Sequence, residues 1–426
     1  MPKISRRNIL MGGLAVAGAG LVLARSSDKS GPRAPYFKKM QAALKQAGIG
    51  HPTLVIDKER LNANIDLLVS DLPEQMGYRI VSKSLPSIDL LRHIRTRSAS
   101  DRLMTFNQPM LSALSKEMPD ANQLLGKPLP AQAARNYFSS LTAQDKAATQ
   151  NVQWLVDTPE RLNEYKAIAE AQGSVLAINI ELDVGLHRGG VKPGDDLATM
   201  LTTINDAPSL SFAGFMGYEP HLASVPSILG WQERERQSAL GIYKQALSAA
   251  ASVFSEAELK TITRNAAGSP TYRMYKNTDV ANEVSVGSAL VKPTHFDTEL
   301  LQAFQPASFI ATPVIKSLDK TETAVLEFAD GVRGFMDSNL ERTIFIHGGN
   351  WLAEPEDPPG LRLNKTFGRS SNQEMLNAGS SLDIQVDDFV FLRPTQSETV
   401  FLQFGDIAVY ENGKITEFWP VFPASA

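Results

Sequence analysis

Cysteine is missing from this chain: its count over 426 residues is 0. That excludes a disulfide, a cysteine nucleophile and a thiolate metal site, so packing alone must hold the framework. Histidine is scarce. The 6 residues, His51, His93, His187, His221, His295 and His347, are widely spaced, and no His-x-His or His-x-x-x-His pair is available to seed a metal site. There is no Lys/Arg run beyond the first residues and the formal net charge is -4. No basic field attracts a phosphate backbone, and nucleic acid is not an expected partner. Internal repeats are also lacking. A content of 43% hydrophobic and 21% charged residues excludes the disordered and polytopic membrane classes. The length is sufficient for two domains, because single cores stop growing near roughly 250–300 residues.

The N-terminus carries Ser5-Arg6-Arg7-Asn8-Ile9-Leu10, then an apolar Gly/Ala-rich stretch from Met11 to Ala24. A charged region before a modest apolar one reads as a twin-arginine export signal within residues 1–30, and implies a periplasmic protein that engages the export machinery. The apolar run is short of the ~20 residues that span a bilayer. Ala24 lacks an Ala-x-Ala context, which leaves an uncleaved membrane anchor as the alternative.

From Thr53 onward, short β-rich runs alternate with longer helical patterns. Counting from Tyr78, the runs are Tyr78–Val81, Leu103–Phe106, Gln123–Leu125, Trp154–Val156, Val175–Leu182, Ser211–Gly217, Thr261–Ala266 and Val284–Val291. About eight strands with intervening helices predict an α/β fold with a closed (β/α)8 TIM-type barrel, here over residues 31–300. Past that point the pattern changes to short strands between turns, including Thr323–Phe328, Arg342–Ile346, Phe389–Leu392, Val400–Gln403 and Ile407–Tyr410. Only Gln373–Leu376 suggests a helix. Residues 301–426 therefore read as a C-terminal β-domain.

Barrel active sites lie at the C-terminal ends of the strands. Lys83 closes Tyr78-Arg79-Ile80-Val81-Ser82-Lys83-Ser84. If desolvated at the barrel mouth, its amine would have the lowered pKa that carbonyl chemistry uses; otherwise it is an ordinary loop lysine. Glu181-Leu182-Asp183-Val184-Gly185-Leu186-His187-Arg188-Gly189-Gly190 ends a long strand with a fixed cation beside glycines, a pattern suited to an anionic ligand oxygen. Gly217-Tyr218-Glu219-Pro220-His221 ends the next strand. Two Gly/Ser turns follow the last strands, Gly268-Ser269-Pro270-Thr271 and Gly287-Ser288, where barrels often bind phosphate. Each piece alone has a bland reading as a βα turn or a core tyrosine, whereas together they set a phosphate cradle opposite Lys83.

In this order the residues resemble the fold-type III pyridoxal-phosphate enzymes, specifically the D-threonine aldolase and D-serine dehydratase group, related to alanine racemase. The resemblance runs from about Pro52 to the C-terminus. It implies pyridoxal 5'-phosphate as cofactor, with Lys83 as the Schiff-base lysine and Arg79 as the leading arginine of that motif. Ile80-Val81 stands where the group has Pro-His, and Ser84-Leu85 where it has Thr-His. The resemblance also implies Arg188 at the cofactor's phenolic oxygen, Tyr218 as the active-site tyrosine of a Tyr-x-x-His segment, and His221 as that segment's histidine. Gly268, Ser269 and Thr271 then form one phosphate loop and Gly287 with Ser288 the other. Metal-dependent members carry a His-Cys-Asp or His-x-Cys motif near the C-terminus; here Thr395 and Ser397 stand at those positions, and Ser371-Asn372-Gln373-Glu374 replaces an upstream Glu-His-Gly. No catalytic metal is expected. Its duty at a β-hydroxyl then falls to Tyr218, His221, His295 or Glu398, which the sequence does not rank.

The leading reading is a lyase acting on D-amino acids, by retro-aldol cleavage or β-elimination, with Lys83, Tyr218 and His221 as catalytic residues. The alternatives are a racemase or epimerase working both faces of Cα, a non-catalytic cofactor-binding protein, and a sugar- or phosphate-binding barrel without the cofactor. The resemblance brings a homodimer into the expected assemblies.

Overall fold

The computed structural model describes residues 26–142, 145–322, 328, 336–364 and 368–423. Residues 1–25, which carry the Arg6-Arg7 pair and the apolar stretch of the expected export signal, and nearly all of Thr323–Phe328 lie outside them. Among the described residues no helix is long and apolar enough to cross a membrane.

The chain divides into two compact units. One takes residues 57–307, 396–407 and 418–426, and holds a closed barrel of eight strands. The other takes residues up to 56, 308–395 and 408–417. Both the barrel and the separate sheet follow the sequence expectation, but neither unit is one stretch of chain. Residues 31–56 belong to the sheet unit, and 396–407 and 418–426 to the barrel unit.

Helix α1 (Pro35–Gln46) and strand β1 (Thr53–Asp57) come first, and helix α2 (Lys58–Asp71) follows, capped by the Asp57 carboxylate accepting from Arg60 N–H. The barrel strands are β2 (Gly77–Val81), β3 (Arg102–Thr105), β4 (Asn122–Leu125), β5 (Val152–Val156), β6 (Leu176–Leu182), β7 (Leu210–Gly217), β8 (Thr263–Ala266) and β9 (Glu283–Val286). They pair in parallel, and β9 closes on β2 through Tyr78 opposite Val284. Strands buried on both faces need near-continuous apolar runs, and β5, Val-Gln-Trp-Leu-Val, is buried at every position. The helices between them are α3 (Ile88–Ser98), α4 (Gln108–Glu117), α5 (Ala131–Ser140), α6 (Pro159–Gln172), α7 (Asp195–Asp206), α8 (Trp231–Ala251) and α9 (Glu256–Leu259). Leu155, Leu162, Ile178, Leu201 and Phe215 belong to one continuous core beneath them.

The barrel interior is polar at its floor. Arg79, 1% exposed, donates from Nε to Glu283 at 2.5 Å and from its terminal nitrogens to the Leu103 and Asn122 carbonyls and the Asn122 side chain. Burial acts to raise the Glu283 pKa, but Arg79, Arg102 and Asn265 hold it below the usual carboxylate range. A buried pair survives in this form because its remaining hydrogen-bonding capacity is filled.

After β9 the chain turns into the short helix α10 (Ser288–Val291), so the single run read over Val284–Val291 is a strand followed by a helix. The sheet unit then forms from β10 (Ser308–Leu318), β11 (Arg342–His347), β12 (Ala353–Asp357), β13 (Arg362–Leu363), β14 (Gln373–Ala378) and β15 (Phe389–Pro394). Helix α11 (Glu398–Phe401) interrupts it, and β16 (Ile407–Glu411) and β17 (Lys414–Trp419) end it. The path runs β13-β14-β11-β10-β1-β16-β17, with β15 pairing β10 and β12. Aromatic rings fill its core: Phe37 of α1 meets Phe309 at 5.1 Å and Phe391 at 4.9 Å.

Two local readings are corrected. Gln373–Leu376, expected as a helix, is the strand β14, because it pairs antiparallel with β11 and β13. Val400–Gln403, expected as a strand, begins inside helix α11, with Val400 and Phe401 buried. In both, tertiary partners override local propensity.

Candidate active site

The C-terminal ends of the barrel strands surround a cavity of about 660 Å³, its open mouth included. Val81, the last residue of β2, lines it, and the turn that follows the strand carries Lys83 into it. Lys83 sits in a 3-10 turn, Ser82–Ser84. Its Nζ lies 4.7 Å from the Phe106 ring centre and 2.7 Å from Glu398 Oε1. With 38% of its side chain exposed, Lys83 is held by an ion pair at an open mouth.

The loop after β6 is organised by one carboxylate. Asp183 Oδ1 accepts from the Gly185 and His187 N–H groups, and Oδ2 pairs with His187 Nδ1 at 2.8 Å. Burial opposes its ionisation, yet the bonds from His187 and Gly185 keep its pKa below the usual range. Gly190 has φ +93°, and a methyl there would stand 2.6 Å from Asp183 N, so the return of the loop onto β6 requires glycine. Arg188 is thereby delivered to the cavity, its guanidinium 5.2 Å from the Tyr218 ring centre. Among the described residues it makes no hydrogen bond or ion pair, which leaves its donors for a ligand. Close by, burial and the charge of Asp157 push Glu181 up to about 7, against the pull of Arg188.

Tyr218 lines the cavity beside Gly268, where an added methyl would come 2.6 Å from Tyr218 Cε2. Burial raises its phenol pKa; Arg188 lowers it, and Glu219 and Glu398 add to the rise. Gly287 packs as tightly, with Val81 Cβ 2.8 Å from the place of a methyl. Ser269 Oγ accepts from Gly287 N and Ala289 N, which ties the two Gly/Ser turns together. Ser288 donates to Ser84 at 3.0 Å and also contacts Ser397 at 3.1 Å.

Lys83, Arg188, Tyr218, Gly268, Ser269, Gly287 and Ser288 therefore all line one cavity. Thr271 does not line it. Its hydroxyl accepts from Gly268 N and donates to Glu219, behind the loop. His221 is absent from the lining too: it lies in the turn Pro220–Ala223 against Gly185, and its ring nitrogens, buried, have no partner among the described residues. His295 is exposed, whereas its neighbour Phe296 faces the cavity. Phe106, Asn265 and Ser285 were not singled out in the sequence; Phe106 and Asn265 sit at strand ends that the barrel rule could have marked. Glu219 was also missed as a support. Fully buried, it is pushed up to about 7 by burial, while Thr271, the Ala267 N–H and Tyr275 act to lower it. Among the described residues no group of three or more His, Asp or Glu is arranged to hold a metal.

Residues 56–294 match the family model described as alanine racemase, N-terminal domain, which is more than half of the chain. The chain belongs to this family. Its members are fold-type III enzymes that bind pyridoxal phosphate, and the family lining fits that group: an amine at Lys83, an unpartnered guanidinium at Arg188, and serine hydroxyls on two tight turns for a phosphate. The family fold extends beyond the matched residues. D-threonine aldolase from Filomicrobium marinum is 17% identical with a TM-score of 0.70, covering 88% of this chain and 95% of that one. D-threo-3-hydroxyaspartate dehydratase from Delftia sp. HT23 is 14% identical with a TM-score of 0.68, covering 88% and 98%. Alanine racemase from Clostridium difficile 630 is 14% identical with a TM-score of 0.65, covering 86% and 98%. At these identities the likeness is one of fold. No curated protein gives a significant match to the sequence.

Proposed function

We propose that this protein is a pyridoxal-phosphate-dependent lyase acting on D-amino acids with a β-hydroxyl, by retro-aldol cleavage or β-elimination, without a catalytic metal. Lys83 Nζ holds the cofactor covalently, the Ser84 and Ser269 hydroxyls on the side of the two Gly/Ser turns take its phosphate, and Arg188 faces its phenolic oxygen. When bound, pyridoxal phosphate supplies an electron-withdrawing ring that weakens the bonds at the substrate's Cα. The protein's own contribution is orientation and proton handling.

What favours the lyase reading is the likeness of fold to D-threonine aldolase and D-threo-3-hydroxyaspartate dehydratase, with TM-scores of 0.70 and 0.68 against 0.65 for alanine racemase. In the lining, Lys83 and Glu398, 2.7 Å apart, and Tyr218, whose phenol pKa burial raises, are the groups that can move protons. Thr395 and Ser397 at the positions of the group's metal ligands support a metal-independent course.

The test is product analysis of the reconstituted protein on D- and L-amino acids. Glycine plus an aldehyde, or a keto acid plus ammonia, is expected from D-β-hydroxy substrates, at rates that a chelator leaves unchanged. Formation of the mirror-image amino acid alone would replace the lyase by a racemase. Lys83→Ala is expected to abolish the visible absorption of the bound cofactor, and a wild-type chain that never acquires that absorption would sink the cofactor assignment. The export signal and periplasmic location are part of the same proposal. Replacing Arg6 and Arg7 by lysine is expected to retain the protein in the cytoplasmic fraction; unchanged fractionation would remove that part.

A further inference from the structure

An exposed ion pair is usually worth little, and Lys83–Glu398, with side chains 38% and 41% exposed, could be dismissed as one. Its surroundings argue against that. Ser397, the residue before Glu398, is fully buried, and its hydroxyl lies 3.1 Å from that of Ser288. Ser288 in turn donates to Ser84 at 3.0 Å, the residue after Lys83. A serine has a single O–H to give. Since that of Ser288 goes to Ser84, Ser397 must be the donor to Ser288. The chain of hydroxyls thus runs Ser397 to Ser288 to Ser84, and the Ser84 proton is left to point at an anion in the cavity that Ser84 lines. Lys83 and Glu398 are each joined by one peptide bond to an end of this chain, so the same hydroxyls that face the ligand fix the separation of the amine and the carboxylate. Arg188 and Tyr218 are the other charged and titratable groups of the lining.

We propose that Glu398 is a catalytic residue of this site, the acceptor and donor of the proton on Lys83 Nζ, held in place by the Ser84, Ser288 and Ser397 hydroxyls. This rests on the reading of Lys83 as the cofactor lysine. In the capture step one Nζ–H bond of the ammonium breaks, its electron pair stays on nitrogen, and the proton forms an O–H bond on Glu398. The neutral amine adds to the aldehyde carbon, and its two remaining protons leave with the carbonyl oxygen as water. When an incoming amine releases Nζ again, the proton on Glu398 returns to it. Ser397 is a positioning residue in this scheme.

The experiment follows reconstitution of the full-length apoprotein with pyridoxal phosphate by visible absorbance near neutral pH, which needs no substrate. Glu398→Gln is expected to slow capture about 100-fold, as for loss of a general base, while reaching the same final absorbance. Glu398→Ala should be equally slow and partly rescued by added formate, which restores a carboxylate. Ser397→Ala is expected to slow capture several-fold, and Ser397→Thr, which keeps the hydroxyl, to recover it. Capture by Glu398→Gln at the wild-type rate would overturn the proposal while leaving Lys83 as the cofactor lysine. If Glu398→Gln proves unstable, Glu398→Asp must show an intermediate rate, and an unaltered one overturns it equally. Absorbance that persists in Lys83→Ala, or never develops in the wild type, would instead discard the reading on which the proposal stands.

Discussion

Arg79 and Glu283 face each other in the barrel floor with almost no access to water, so removing one strands the other as an unpaired buried charge. Arg79→Ala is expected to lower stability by about 3–5 kcal/mol, read as a fall in the denaturant midpoint; Arg79→Met with Glu283→Leu should recover much of the loss. A midpoint unchanged in the single variant would contradict the pairing. Glu219 gives a prediction of opposite character. Its folded pKa is raised, to about 7 from 4.5, so the native state holds a proton that the unfolded chain has released. The stability that this contributes is complete below about pH 4.5 and is lost as pH rises to about 7. Glu219→Gln should therefore gain on the wild type across that window, by up to about 3 kcal/mol if no other group responds, as urea titrations at several pH values would reveal. Lys83 was legible because the end of an apolar run marks a barrel mouth. Glu398 could only be offered as one of four candidates, since nothing in a linear pattern reports that a residue so distant along the chain meets Lys83.

The strand ends also explain which of the two phosphate turns tolerates change. An alanine at 268 meets a ring edge, at 287 the side chain and carbonyl of Val81 in β2. Gly268→Ala is expected to move Tyr218 and weaken cofactor binding about tenfold with little change in melting temperature, whereas Gly287→Ala overpacks a strand and should cost about 1–3 kcal/mol of stability. Binding titrations beside thermal melts separate the two. The eight barrel strands were readable because parallel buried strands announce themselves as apolar runs bounded by turns. β14 and α11 were misread because each is short: four to six residues carry too little periodicity to outweigh their partners. α11 in particular, Glu-Thr-Val-Phe, has the composition of a strand and is helical only in context.

At the scale of the molecule, neither unit can be cut out with one pair of scissors. A chain ended at Ala307 keeps all eight barrel strands but loses 396–407 and 418–426, including the Trp419 ring that packs on His93 at 5.7 Å and the bridge between Ser87 and Val421. Such a truncation is expected to unfold with reduced cooperativity in urea and to capture pyridoxal phosphate slowly; a sharp, wild-type transition would mean that the returning segments are dispensable. The barrel plus a sheet was visible in the alternation of elements, but the interleaving of the two was not, because composition does not record which unit a short connecting piece joins.

That excursion at 396–407 has a bearing on how the protein is made. Translation is vectorial and domains close as they emerge, so the ribosome has finished every barrel strand, with the amine of Lys83 in place, before Ser397 and Glu398 have been polymerised. A nascent barrel can be shaped without yet being equipped, and on the proposed role of Glu398 its competence to take up a cofactor at full speed waits until residues 396–407 have been added.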